Sequence, residues 1–391
     1  MMFLFRISLV CCLMTLLPAL AVHLCCLRNR PGAGRCRRIL WTVTALEFAG
    51  IACFIAFAFG MGSLSQFWHL FFCVFMGIVG VESSMALFGA LAKVFGRREI
   101  LRRLMLCLGA VMVIFDIIMV AMAFIIGNKR IDVAEYTYFS RDLPESFDGF
   151  KIVHISDLHL GTYGTDTARV AELIDKALAQ KGDMIVFTGD LVNFESKEAL
   201  PFVNELSRLR APYGVYSVFG NHDYGVYRNF ATKREQLADI QKLTDIEKSC
   251  GWTVLRNAHD IIHKDGDSIV VVGVDNDGHP PFPRLADIPK ALKGLPSSGG
   301  FMIFLTHDPS HWRRNVLGET TAQLTLSGHT HGMQFKLGEW SPASLVYKEW
   351  GGQYFEGQRS LIVSIGLGLG AVPFRFGAWS EVCVVTLRTQ K

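Results

Sequence analysis

The stretch Phe150-Lys-Ile-Val-His-Ile-Ser-Asp-Leu-His-Leu-Gly161 decides how the chain is read. Ile152, Val153 and Ile155 form a short apolar run rich in β-branched residues, which predicts a buried strand. The run ends in Ser156-Asp157-Leu158-His159. Asp157 and His159 are two residues apart, so in extended backbone they point to the same side. A carboxylate and an imidazole together at a strand end are the start of a metal site. The plainer alternative is an Asp capping a turn beside a surface His.

Outward from this stretch the pattern repeats. Met184–Thr188 runs into Gly189-Asp190, and Val215–Phe219 runs into Gly220-Asn221-His222-Asp223. Phe301–Thr306 ends at His307, and Leu324–Leu326 runs into Ser327-Gly328-His329-Thr330-His331-Gly332. Helices are predicted over Asp166–Gln180, Lys197–Arg210 and Thr232–Cys250. A leading strand is predicted over Val133–Ser140 and a hairpin over Ile261–Val274, turning at Lys264-Asp265-Gly266-Asp267. Met333–Leu337, Ser360–Ile365 and Val382–Leu387 complete a second set of strands. Alternating strands and helices predict a layered α/β fold, with two sheets face to face and helices outside.

The N-terminal third is different. The chain has 391 residues and is 50% hydrophobic with mean hydropathy +0.30, and the excess is concentrated in residues 1–127. Four segments there are long enough to cross a bilayer, which takes about 20 residues. They are Ile7–Leu27, Ile39–Gly60, Phe67–Val94 and Leu104–Ile126. A cleaved signal peptide at Ala19-Leu20-Ala21 is the alternative for the first. The positive charge runs the wrong way for that, since only Arg6 precedes the segment while Arg28, Arg30, Arg35, Arg37 and Arg38 follow it. Lys93, Arg97, Arg98, Arg102 and Arg103 follow the third segment, and Met61–Gln66 carries no charge. Placing both basic loops in the cytoplasm puts everything after Ile126 on the far side, making a multi-pass protein of the inner or plasma membrane with an extracytoplasmic domain. The predicted division is therefore 1–127 as a four-helix transmembrane region, 128–148 as a connector and 149–391 as the α/β domain. Glu47, Glu82 and Asp116 lie within the spans, where an acid is expected to be protonated or bonded to a neighbouring helix.

The net charge of +4 is modest, and its clusters sit beside apolar spans, so nucleic acid is not an expected partner. Of the ten cysteines only Cys250 and Cys383 lie beyond residue 127, and no CxxC pair occurs, so cysteine usage does not fix the compartment. Gly366, Gly368 and Gly370 lack the spacing and the Lys-Ser/Thr of a phosphate-binding loop.

Five predicted strand ends carry Asp157/His159, Asp190, Asn221/His222, His307 and His329/His331, and sites in open α/β sheets form at such ends. Capping and surface preference do not account for five in one chain. The set is large enough for two divalent cations sharing a carboxylate. Mixed Asp, Asn and His ligands suit Mn²⁺, Fe or Zn²⁺ better than Mg²⁺.

The succession Asp157-Leu158-His159, Gly189-Asp190, Gly220-Asn221-His222-Asp223, His307 and Gly328-His329-Thr330-His331 resembles the calcineurin-like metallophosphoesterase superfamily, over about residues 148–389. Within it the chain looks most like the membrane-linked phosphodiesterase branch, transmembrane proteins with a metallophosphoesterase domain. The tail Ser364-Ile365-Gly366-Leu367-Gly368, with Pro373, Arg375 and Glu381, is similar to that branch too. The resemblance implies an α/β/β/α four-layer sandwich. It implies Asp157, His159 and His331 on one metal, Asn221, His307 and His329 on the other, and Asp190 bridging. His222 would be the acid near the leaving group, oriented or tuned by Asp223. Where the family often has a second Asp, this chain has Asn193. The implied activity is phosphodiester hydrolysis by hydroxide formed on the metals, on an envelope-derived or lipid-linked phosphoester of a bacterial cell. The alternatives are a lipid A precursor (UDP-diacylglucosamine) pyrophosphate hydrolase, or a membrane sensor that binds a phosphorylated ligand without turnover. His154, His259, His263, His279, Arg313 and Arg314 are read as structural or surface residues, while Trp340, Tyr347, Trp350 and Tyr354 either pack, wall the substrate or meet the membrane interface.

Overall fold

The computed structural model describes residues 2–60, 66–127, 129–280, 282–295, 300–370 and 374–390. The chain divides into two compact units, Met1–Ile126 and Gly127–Lys391.

The first unit is helical: α1 (Met2–Val22), α2 (Gly34–Gly60), α3 (Gln66–Val94) and α4 (Glu99–Met122). Among the described residues three helical stretches are long and apolar enough to cross a membrane, Leu9–Leu27, Val74–Val94 and Glu99–Gly127. That is one fewer than the four expected. The missing one, Ile39–Gly60, falls on α2, whose described part carries Arg35, Arg37, Arg38 and Glu47 among its apolar residues. The side chains of 54–60, and residues 61–65 of the expected uncharged loop, lie outside the described residues. Asp116 on α4 accepts a 2.7 Å hydrogen bond from the Ser84 hydroxyl on α3, the neighbouring-helix partner expected of an acid in such a span.

Among the described residues the second unit holds twelve strands in two six-stranded sheets. They are β1 (Ile131–Ser140), β2 (Lys151–Ile155), β3 (Met184–Phe187), β4 (Val215–Ser217), β5 (Thr253–Val254), β6 (Ala258–Lys264), β7 (Asp267–Gly273), β8 (Met302–Leu305), β9 (Leu324–Ser327), β10 (Gly352–Glu356), β11 (Arg359–Val363) and β12 (Ser380–Thr389). One sheet runs β1-β12-β2-β3-β4-β5 and the other β10-β11-β9-β8-β7-β6. β2 to β5 are mutually parallel, as are β11, β9, β8 and β7. Parallel strands are buried on both faces and read as unbroken apolar runs. In β3, Met184 and Val186 face the other sheet while Ile185 and Phe187 face the helices α5 (Thr167–Leu178), α6 (Val203–Leu206) and α7 (Lys233–Ser249). In β8, Ile303 and Leu305 share that inter-sheet core, and Met302 and Phe304 pack outward beside α8 (Ile288–Ala291). Three apolar cores thus separate four layers, as the sequence predicts.

Three expected elements differ. Val382–Leu387, expected in the second set of strands, falls in β12 of the first sheet, hydrogen-bonded between β1 and β2. Met333–Leu337 is not a strand, because Gly332, Met333 and Gln334 take positive φ and kink the chain within His331–Gln334. Lys197–Arg210 is a 3₁₀ segment, Ser196–Phe202, followed by a single α turn, since Pro201 supplies no N–H donor.

Candidate metal centre

The loops after β2, β3 and β4 in one sheet and after β8 and β9 in the other carry the candidate ligands. The loops after β2, β3 and β9 turn sharply at the residues that bear the side chains. Asp157, His159, Asp190, His329 and His331 all have φ between 48° and 75°. Non-glycine residues rarely adopt this left-handed conformation, and they cluster at sites where the surrounding structure holds them in place. Two glycines let the loops meet. A Cβ on Gly220 would overlap the Asp190 carboxylate, and one on Gly328 would overlap the Ser156 hydroxyl and the Asp157 carboxylate.

The structure brings the expected residues together in three overlapping groups: Asp157 with His159 and His331, His159 with Asp190 and His222, and Asp190 with His307 and His329. Asp157 Oδ1 lies 3.3 Å from His331 Nε2, and Asp190 Oδ2 lies 3.2 Å from His307 Nε2 and 3.8 Å from His159 Nε2. Two pairs of imidazole nitrogens face each other, His159 Nε2 with His331 Nε2 at 3.0 Å and His307 Nε2 with His329 Nδ1 at 3.2 Å. Asn221 sits in the same layer, its Nδ2 donating to the Tyr227 hydroxyl at 2.9 Å and its buried Oδ1 without a protein partner. Facing ring nitrogens and an unsatisfied buried amide oxygen are the arrangement that divalent cations would complete. The donor set therefore fits two such ions, in agreement with the chemistry of the ligands.

Charge follows the same logic. Burial opposes ionisation of Asp157 and Asp190, yet the His331 ring beside Asp157 and the His307 ring beside Asp190 hold both carboxyls below the usual range. Burial, with His222 next, drives His159 well below the ordinary imidazole value, leaving it neutral. Burial also works against a proton on His307, but the Asp190 charge overrides it and raises the ring to about 10. That proton is one a cation must displace on binding.

Asp223, expected to orient or tune His222, turns its carboxylate to the main chain. Its carboxylate accepts backbone N–H bonds from Gly220 and Asp190 at 2.8 Å on one oxygen, and from Leu191 at 2.8 Å and Val192 at 3.2 Å on the other. It ties the β3 loop to the β4 loop. The His222 ring is set instead by its Nδ1, 2.7 Å from the Asn193 carbonyl, while its backbone N–H donates to Asp190 Oδ1 at 2.8 Å. The Asn193 position thus serves through its main chain, whatever its side chain.

Four further residues touch the site. The Tyr347 hydroxyl lies 2.7 Å from His329 Nε2, and Asp308 Oδ2 lies 3.7 Å from the same nitrogen. Tyr227 stacks on the His222 ring at 4.3 Å. Arg375 is fully buried and places Nη2 3.2 Å from His331 Nδ1. Asp308 and Tyr227 follow His307 and the Asn221-His222 motif in sequence, and that adjacency was the only signal available for them. Pro373, read with Arg375 in the tail motif, lies outside the described residues. His154 is buried against the Thr188 hydroxyl at 2.9 Å, and burial lowers it to about 3. Arg313 pairs with Glu349 and Glu356, and Arg314 with Asp277, so neither is an uncommitted anion binder.

The sequence profile of calcineurin-like phosphoesterases matches residues 150–333. An uncharacterized metallophosphoesterase of Bacillus subtilis (strain 168), YkuE, is 34% identical over 273 residues, covering 66% of this chain and 86% of that protein. A second from the same organism, YkoQ, is 28% identical over 272 residues and is covered to 90%. A transmembrane protein with metallophosphoesterase domain of Danio rerio is 27% identical over 260 residues, 63% of this chain and 55% of that one. The chain belongs to the calcineurin-like phosphoesterase family, with transmembrane proteins carrying a metallophosphoesterase domain among its relatives.

Proposed function

We propose that the protein is a membrane-anchored phosphodiesterase that hydrolyses P–O bonds with two divalent cations, Mn²⁺, Fe or Zn²⁺. The observation that carries this reading is the place of Asp190, the one carboxylate common to a group with His159 and a group with His307 and His329. In this reading Asp157, His159 and His331 hold one ion, Asn221, His307 and His329 hold the other, and Asp190 bridges. Bound there, the ions supply positive charge for the phosphoryl oxygens and make water acidic enough to attack near neutral pH.

The chain's own groups do the rest. His222 Nδ1 donates to the Asn193 carbonyl, which leaves Nε2 to carry the proton toward the leaving oxygen. Hydroxide, formed as water gives up a proton to solvent, would form one P–O bond as the ester P–O bond breaks; the departing alkoxide would take the His222 Nε2 proton, which solvent then restores. Tyr227 lies against the His222 ring and the Tyr347 hydroxyl bonds His329, so both would border a bound substrate. In this reading the protein is multi-pass, with its catalytic domain outside the cytoplasm at a bacterial cell envelope; the apolar helices and the two basic loops support it.

The test is turnover of an aryl phosphodiester, an aryl phosphomonoester and a nucleotide-sugar lipid by the purified chain, first with Mn²⁺ and then with chelator. Chelator-sensitive hydrolysis led by the diester supports the reading. Binding without turnover of any of them under any of the three metals replaces it with the sensor. Reporter fusions after Gly127 that are active only in the cytoplasm would reverse the orientation.

A further inference from the structure

The turn that carries His331 continues into an unusual surface. Of the twelve exposed large apolar side chains among the described residues of the second unit, five lie between Met333 and Val346. Met333, Leu337, Trp340, Leu345 and Val346 are 44% to 79% exposed. Single exposed apolar residues are ordinary, whereas a contiguous group of this kind marks a contact surface. The segment is held in shape rather than loose. The Ser341 hydroxyl donates to the Gly332 carbonyl at 2.6 Å, Leu337 and Trp340 exchange backbone bonds, and Pro342–Leu345 forms a 3₁₀ turn.

Within the second unit the patch connects to the start of β1. Only residues 128–130 separate the apolar stretch Glu99–Gly127 from β1 at Ile131. Three residues reach about 10 Å at full extension, so the start of β1 stays close to the membrane surface. From there a run of side chains leads to the patch. The Arg130 guanidinium sits 5.4 Å from the Trp379 ring, Trp379 is 6.2 Å from Phe376, Phe376 stacks on Phe335 at 5.5 Å, and Phe335 is 6.2 Å from Trp340. At its other end the segment reaches Tyr347, whose hydroxyl bonds His329. Tryptophan, leucine and valine with Lys336 inside the segment, paired with Glu339, and Lys348 just beyond it are a composition that suits a bilayer interface.

We propose that Met333–Val346 lies in the surface of the bilayer that the helices cross, and that the metal centre beside it acts on an amphiphilic phosphodiester whose apolar tail stays in that bilayer. The substrate half rests on the phosphodiesterase reading above. The docking half does not.

Two measurements on the full chain in lipid nanodiscs separate them. The first is tryptophan fluorescence of the wild-type chain and of Trp340→Phe, in nanodiscs with and without brominated acyl chains. The difference between the two proteins reports Trp340 alone. It is expected to fall by at least half in brominated lipid, and an undiminished difference overturns the docking, whether water or a second protein covers the segment. The second is the ratio of turnover for a diacyl phosphodiester presented in vesicles to that for a soluble aryl phosphodiester. In Leu337→Glu/Leu345→Glu this ratio is expected to fall at least tenfold, and an unchanged ratio overturns the amphiphilic substrate. If the wild-type chain turns over neither compound, the phosphodiesterase reading fails while the fluorescence still decides the docking.

Discussion

Asp190 Oδ2 stands 3.2 Å from His307 Nε2, although one follows a strand of the first sheet and the other a strand of the second. That distance joins the two sheets at the candidate centre.

Replacing Asp190 with Asn keeps the volume and removes the charge shared by the two groups. Metal content is expected to fall from two ions per chain to one or fewer. Turnover should drop by more than about a hundredfold, since even partners of ligands cost 10- to 100-fold. Elemental analysis alongside steady-state rates checks both.

His222→Ala should keep both ions and lower turnover by roughly 10²- to 10⁴-fold, the usual share of a positioned acid. The loss should be larger for an alkyl leaving group than for an aryl one, because a better leaving group needs less protonation. Loss of an ion from this variant would make His222 a ligand, which its place beside His159 and Asp190 also allows.

Asp223→Ala leaves four backbone N–H groups near Asp190 and Gly220 without their acceptor. Each buried unsatisfied donor costs about 1–3 kcal/mol, so the net destabilisation should be on the order of 3 kcal/mol or more. A lowered melting temperature in the presence of excess metal is the expected readout. An unchanged one would remove Asp223 from the framework.

Glu198 gives a pH dependence independent of the ligands. Burial raises its carboxyl to about 7, although it accepts N–H bonds from Asn193 and Phe194. In the unfolded chain it titrates near 4.5. The folded state holds the proton that the unfolded state releases, so the contribution is full below about pH 4.5 and is lost as pH rises toward 7. The loss amounts to about 3 kcal/mol at most. Relative to Glu198→Gln, wild-type stability should therefore decline across that window. Parallel curves for the two proteins would refute the shift.

The strands and the metal residues were legible because both are written locally. A parallel strand buried on two faces is an apolar run, and the sharp turn after it shows as Gly-Asp or Gly-Asn-His. What could not be read depends on distance. Asp223 looked like a partner for the adjacent His222, but its carboxylate turns toward the β3 loop, and sequence proximity gives no hint of that. Tyr347 reaches His329 only because Gly332 and Met333 curl the chain, where alternating hydrophobicity suggested a strand. The edge strand β10 lacks the dense apolar run of the interior strands, so it was missed.

The left-handed backbone at Asp157, His159, Asp190, His329 and His331 bears on how mutational data here are read. Asp, Asn and His are the side chains that best tolerate this region, and they are also donors for cations. Tolerance of a substitution at these positions thus reports two selections at once, one on coordination and one on conformational compatibility. Alanine scanning would confound them. Asparagine leaves the torsional preference nearly intact, so an asparagine scan is the way to weigh the chemistry alone.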